Sequence, residues 1–239
     1  PPAAGKRVFL TLCSALRDEA RYLAEWVVHH ALLGVDRFCL YDNDSRDETR
    51  AILTGLQRHF DIEIRPWEQQ PANILAFDDC FRREVGRTEW LACVDSDEFL
   101  MPGEGESLPA LLREAGSAAA LLVNWRIFGS SGLDLRPPGL CLEHFTGRAP
   151  DDFPPNRHVK SIVRPECVVA LLTPHHFAVL GRQLDSEMRA VLPVAGRLGR
   201  PRLRRVAPPH YLVRSREDFR HKVARGRARA ARNAIGQDF

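Results

Sequence analysis

Two carboxylates one residue apart, Asp95-Ser96-Asp97, follow directly on the apolar run Trp90-Leu91-Ala92-Cys93-Val94. Alternate side chains of an extended chain share one side, so this spacing predicts that Asp95 and Asp97 project together. Two like charges held side by side repel unless a cation or hydrogen-bond donors neutralise them. A hard divalent cation with oxygen ligands, carrying a diphosphate, meets that need. Such an ion would stabilise a leaving nucleoside diphosphate as a Lewis acid. A solvated acidic turn is the competing explanation, and the triplet alone fits both. A second polar cluster, Asp42-Asn43-Asp44, follows Phe38-Cys39-Leu40-Tyr41. It could hydrogen-bond a base or ribose edge, although Asx residues serve equally well in turns and helix caps.

The elements that must hold these residues can be read from periodicity. Val8 to Ala15 is an apolar run of strand formers. From Glu19 to Leu33 the spacing is helical, with Leu23, Trp26, Val27, His30 and Ala31 on one face and Gly34 as a stop. Arg37 to Tyr41 predicts a second strand, and Ser45 with Glu48 has capping-box spacing before a helix through Ile52, Leu56 and Phe60. Asp61 to Pro66 predicts a third strand, and Ile74, Phe77, Phe81 and Val85 mark another helical face. Glu89 to Val94 predicts the strand that runs into the acidic triplet, and Ala118 to Phe128 a further strand. Ser107 with Pro109 opens a short helix, and Leu140 to Phe145 another. His158 to Val169 and Pro174 to Val179 read as strands, and a basic helix is expected from Ser215 to about Ala231.

Alternating strands and helices with short connections predict an α/β fold: a mostly parallel sheet covered on both faces. Ligands of such sheets sit beyond the carboxyl ends of the strands, where both polar clusters fall.

Bulk composition narrows the field. The chain has 239 residues, 44% hydrophobic and 27% charged, enough for one full core. Its net charge is +3; from Arg214 onward eight Lys/Arg face three acids, which gives +5 and leaves −2 for the rest. A slightly acidic body with a basic tail excludes a nucleic-acid-binding domain. The tail could touch an anionic membrane surface weakly, against the plainer expectation of a solvated helix face. The six cysteines are scattered with no CxxC pair, which predicts buried thiols rather than a zinc or redox motif. Without an apolar run of about 18 residues or a visible signal peptide, the expectation is a cytoplasmic protein, peripheral at most to the inner membrane face.

Other residues have chemical potential of their own. Gly129-Ser130-Ser131-Gly132 follows a strand and would allow close backbone approach to a sugar. Trp125 could stack on a sugar ring, though packing in the core is its commoner use. Lys160 could contact a diphosphate and offset leaving-group charge. His175-His176 cannot easily share one ion, because neighbours on a strand point to opposite faces; both are expected to be structural, the lesser alternative being that one lines the acceptor site.

The order of motifs resembles glycosyltransferases of the family 2 type, with the GT-A fold, and within them the family 92-like, DUF23-related group. The stretches that carry it are RDEARYLAEW at Arg17 to Trp26, YDNDSRDET at Tyr41 to Thr49, AFDDCFRR at Ala76 to Arg83 and WLACVDSDEFL at Trp90 to Leu100. They continue with NWRIFGSSG at Asn124 to Gly132, RHVKSIVRP at Arg157 to Pro165 and HYLVRS at His210 to Ser215. The resemblance implies one GT-A domain over 1–239: a nucleotide-sugar half at 1–102, an acceptor-side half at 103–213, antiparallel or irregular, and a basic helix at 214–239. It implies that Asp95 lies near the donor ribose or the metal, that Asp97 is a metal ligand and that His210 completes the set. A neutral imidazole suits Mn²⁺ better than Mg²⁺. Asp42, Asn43 and Asp44, with Ala15 and Arg17, would hold the nucleotide of a uridine diphosphate sugar, galactose being one candidate. The acceptor would be a glycan or glycolipid hydroxyl.

An inverting transfer also needs a base for that hydroxyl. Glu143 is the first candidate and Asp134 the second, with Asp151 and Asp152 behind them; Glu143 is followed by His144, where many relatives of this type carry an acidic pair. Two alternatives compete. A nucleotidyltransferase would carry a Gly-rich basic loop after its first strand, where this chain has Arg17-Asp18-Glu19. A non-catalytic carbohydrate- or membrane-associated adaptor would have no need of Asp95, Asp97 and His210.

Overall fold

The computed structural model describes residues 7–226. The first half alternates as expected: β1 (Val8–Leu16), α1 (Ala20–Leu32), β2 (Arg37–Asp42), α2 (Thr49–Leu56), β3 (Ile62–Pro66), α3 (Ala72–Glu84) and β4 (Thr88–Cys93). Shorter pieces follow: β5 (Met101–Pro102), α4 (Leu108–Glu114), β6 (Ala120–Asn124), β7 (Arg126–Ile127) and α5 (Cys141–His144). The remainder comprises β8 (Val159–Val163), β9 (Val168–Thr173), β10 (His176–Val179), β11 (Gln183–Asp185), β12 (Val206–Ala207), β13 (Pro209–His210) and α6 (Arg216–Arg225).

Seven strands form one sheet in the order β11-β6-β8-β4-β1-β2-β3. Its pairs are parallel except those made by β8, which runs against both β4 and β6. The α/β expectation therefore holds, with one reversed strand at the centre. Three two-stranded pairs, β9–β10, β5–β12 and β7–β13, complete the strand set.

Alternation along β1 explains how one strand serves two cores. Leu10, Leu12 and Leu16 join the cluster of Leu23, Trp26 and Val27 from α1, whereas Cys13 faces Phe77 and Cys80 of α3. Full burial of each such side chain stabilises the fold by roughly 1.5–3 kcal/mol. The helical face predicted for α1 is the one buried, and Gly34 ends it at φ +92°. Five of the six cysteines are buried free thiols, as composition suggested, and Cys167 is partly buried.

Two local expectations change. Ser45 is no N-cap: α2 starts at Thr49, and Ser45 Oγ instead accepts the Asp18 amide across the β1 and β2 loops at 3.0 Å. The strand predicted over 118–128 breaks at Trp125, so β6 belongs to the main sheet and β7 turns away to pair with β13. Among the described residues no helix is long and apolar enough to cross a membrane.

Candidate functional site

The acidic triplet does not continue β4. Ser96 and Asp97 form a turn closed by the Glu98 amide donating to Asp95 O at 3.0 Å. Asp95 and Asp97 both line the cavity described below, but the extended backbone that the alternation argument requires is absent at Ser96. The turn is held from outside: Arg214 donates to Ser96 O at 3.2 Å, and Trp26 Nε1 to Glu98 O at 2.7 Å.

β13 brings His210 to this turn. The Tyr211 amide donates to Asp97 O and the Phe99 amide to Pro209 O, while β13 pairs with β7 on its other side. His210 Nε2 thereby stands 3.6 Å from Asp97 Oδ2, beyond hydrogen-bond range. The two residues are 5% and 7% exposed, and His210 Nδ1 is buried without a hydrogen-bond partner. Trp125, at the break between β6 and β7, lies against the His210 ring with centroids 4.3 Å apart, and against His175 at 4.9 Å.

Asp95 has a different partner. Lys160 lies on β8, every residue of which is buried, and its ammonium reaches Asp95 Oδ2 at 2.7 Å and Glu98 Oε2 at 3.3 Å. Lys160 and Glu98 are both fully buried. Desolvation pushes the Glu98 carboxyl up to about 7, against the pull of Lys160. For Lys160 the balance is reversed: Asp95 and Glu98 overcome its desolvation and hold it in the charged form, above its ordinary range. This lysine, expected on the diphosphate, is an internal counter-ion and does not line the cavity described below.

Helix α6 supplies the last wall. It is capped by a reciprocal box between Ser215 and Asp218, and Asp218 also accepts from Tyr22 at 3.0 Å and pairs with Arg136 at 2.6 Å. Lys222 is paired with Asp97 Oδ2 and donates to Leu212 O at 3.0 Å. Burial alone would raise the Asp97 carboxyl, but Lys222, His210 and Arg214 hold it well below the usual carboxylate range. Arg225 binds the carbonyls of Arg17 and Asp18 and the Glu19 carboxylate, which Arg214 also engages at 3.3 Å. Sequence alone suggested a solvated basic face, yet Lys222 and Arg225 both turn inward. Arg227, Arg229 and Arg232 lie outside the described residues.

These elements enclose a cavity of about 280 Å³ beyond the carboxyl ends of β1 and β4. Of the residues nominated from sequence it gathers Ala15, Arg17, Asp95, Asp97, Trp125 and His210. Arg17 Nε is buried with no hydrogen-bond partner. His175, one of the two histidines of which one could line the acceptor site, is here as well, and Glu19, Asn73, Phe219, Lys222 and Arg225 also line the cavity without having been nominated. The motif around Arg17 contains Glu19, but nothing in the sequence showed that α6 folds back onto Asp97. A larger cavity of about 940 Å³ adjoins it and shares Glu19, Asp97, Leu212, Lys222 and Arg225 with it.

The remaining nominees stand elsewhere. Asp42 and Asn43 are buried in the turn after β2: Asp42 accepts the Ser45 amide, and Asn43 donates to Trp67 O at 2.6 Å. Asp44, at φ +55°, points to solvent beside Arg46. Ser131 Oγ accepts the Gly147 amide at 2.9 Å, and Ser130 O accepts the Leu133 amide. Glu143 caps its own short helix through the Leu140 amide, and Asp134 is exposed and paired with Arg216. None of these lines either cavity.

A divalent cation, implied by the resemblance, has a partial fit. Asp97 Oδ2 and His210 Nε2 present a carboxylate and an imidazole at a separation one ion can bridge. Asp95 is engaged by Lys160 instead. Among the described residues the one trio of such donors within 4.8 Å of one another is Cys39, Glu63 and Glu84, on the outer strands and α3.

The sequence profile of glycosyltransferase family 92 matches residues 9–189. A family 92 protein of Ricinus communis is 33% identical over 175 residues, covering 70% of this chain and 31% of the relative. One of Oryza sativa subsp. japonica is 30% identical over 174 residues, 70% of this chain and 29% of the relative. The chain thus spans about three tenths of the length of the curated relatives it matches. Among solved structures, S. aureus TarS 1-349 in complex with UDP is similar at a TM-score of 0.48 and 13% identity, covering 67% of this chain and 48% of that one. From a profile that spans most of its length and relatives at this identity, the chain belongs to glycosyltransferase family 92.

Proposed function

We propose that this chain binds a uridine diphosphate sugar and transfers its sugar to a glycan or glycolipid hydroxyl, with inversion and with a divalent cation, Mn²⁺ or Mg²⁺. UDP-galactose is the first donor to try. The reading rests on one observation: Arg17, Asp97 and His210 converge on a single cavity at the carboxyl ends of β1 and β4 in a chain of this family. Asp97 and His210 would hold the cation, which when bound supplies Lewis-acid stabilisation of the leaving diphosphate. Arg17 has an unmet buried donor suited to a phosphate oxygen, a charge-assisted bond stronger than a neutral one. Asp95, fixed by Lys160, would face the ribose. Trp125, wedged among His158, His175 and His210, offers an aromatic surface to the sugar. Glu143 and Asp134 stand outside the cavity, so neither is proposed as the base.

Thermal shift tests this. UDP with Mn²⁺ is expected to raise the melting temperature, and Asp97→Ala to abolish the rise. Equal shifts in both proteins would remove Asp97 from the site.

A further inference from the structure

Asp97 already has a cation. The Lys222 ammonium sits on the carboxylate that, with His210, is proposed above to bind the divalent ion. Its position follows from the helix. Phe219, Lys222 and Arg225 recur every three residues, so they share one face of α6, and all three line the donor cavity. Lys222 and Arg225 also line the larger cavity that adjoins it. Arg225 binds the loop after β1 and Lys222 binds the acidic turn after β4. The two strand ends that would receive a nucleotide are thus tied together by one helix.

A divalent ion and an ammonium repel each other, so both cannot rest on Asp97 at low cost. A diphosphate changes the balance, because it brings negative charge that a displaced ammonium can meet.

We propose that Lys222 is the resident counter-ion of Asp97 in the donor-free protein, and that a nucleoside diphosphate arriving with its divalent cation exchanges it. The cation takes Asp97, and the Lys222 ammonium turns to a diphosphate oxygen. No covalent bond changes. This inference rests on the donor reading above. Its consequence is positive coupling: the cation alone binds weakly because it must displace Lys222, the nucleotide gives Lys222 a new partner, and each ligand therefore strengthens the other to the same degree.

The sequence makes the test clean. It contains three lysines, Lys6, Lys160 and Lys222, and Lys160 is fully buried. Dilute reductive methylation of the wild-type protein, read by peptide mass spectrometry, follows Lys222 directly. Saturating Mn²⁺ alone is expected to raise Lys222 labelling by about fivefold or more, the lower end of ordinary coupling between sites. Adding UDP should return it to the free-protein level or below. In Lys222→Ala, Mn²⁺ should bind more tightly without nucleotide, by electron paramagnetic resonance of the free ion. UDP should then bind more weakly in the presence of Mn²⁺, by calorimetry. Labelling that ignores both ligands while UDP binds would overturn the exchange and leave the donor reading standing. A wild-type protein that binds no UDP would remove the donor reading and this inference with it. If Lys222→Ala does not fold, labelling of the wild type decides alone.

Discussion

Replacing Lys160 by Met separates two accounts of this lysine, the diphosphate contact suggested by sequence and the internal counter-ion seen in the structure. The ammonium lies 2.7 Å from Asp95 and 3.3 Å from Glu98. Asp95 has a partly exposed side chain (29%) and can recover hydration when the lysine goes. Glu98 cannot: it is fully buried, and its Oε1 has no partner even in the intact protein. With its carboxyl already at about 7 beside the ammonium, Glu98 takes up a proton when the lysine goes rather than standing as a buried charge. Breaking a buried pair from one side costs roughly 3–5 kcal/mol. Because Asp95 is rescued by water and Glu98 by protonation, the expectation for Lys160→Met lies near the lower end, about 3 kcal/mol. In a domain of this size that lowers the melting temperature by about 6–12 °C. Urea unfolding followed by circular dichroism measures it. Adding Glu98→Gln removes the group that must be protonated while keeping an acceptor for the Asp95 amide, and should recover roughly half of the loss above about pH 7. A single variant within 1 kcal/mol of wild type that nevertheless loses UDP affinity would refute the internal role and restore the diphosphate contact. A double variant no more stable than the single one would show that Glu98 is not the stranded group.

Two further predictions concern the scaffold that carries the site. His30 is fully buried, donating from Nδ1 to Trp26 O at 2.8 Å and accepting the Leu100 amide at Nε2 at 3.0 Å. Burial, with His29 adding to it, pushes its pKa down to about 3, so the unfolded chain takes the proton first. Its contribution to stability is whole above about pH 6.5 and is lost as pH falls toward 3, at up to about 1.4 kcal/mol per pH unit. His30→Gln should flatten the pH dependence of unfolding between pH 6 and 4 by about that slope; superimposable slopes would count against it. At Gly34 the backbone is left-handed at φ +92°, and an added Cβ would meet Pro109 Cγ at 2.7 Å. Gly34→Ala is expected to cost about 1–3 kcal/mol in urea unfolding, and an unchanged or raised midpoint would contradict the close approach of Gly34 to Pro109.

What the sequence made legible was the scaffold. Hydrophobic period and turn residues located the four strands and three helices before Asp95, because local pattern there agrees with tertiary packing. The same reasoning failed where long-range contacts decide. Asp95 and Asp97 reach one cavity, but by a turn at Ser96 that meets Arg214 rather than by strand alternation. Lys160 read as a donor contact because its sequence neighbours are strand-like; that β8 runs backward between β4 and β6, and so buries the ammonium beside Glu98, is topology rather than local pattern. His210 came from motif order alone, and its route to Asp97 runs through β13. Lys222 and Arg225 were invisible for a related reason. A basic stretch has the same composition whether its charges meet solvent or meet Asp97 and Glu19, and only the docking of α6 distinguishes the two.

The cavity between Arg17, Asp97 and His210 is expected to receive a nucleoside diphosphate together with a cation. Isothermal titration of UDP into the wild-type protein, with and without Mn²⁺, measures this directly. Saturable binding that strengthens with Mn²⁺, and that Asp97→Ala removes while the variant stays folded, is the predicted result. Failure of UDP to bind the folded wild-type protein under either condition would contradict it.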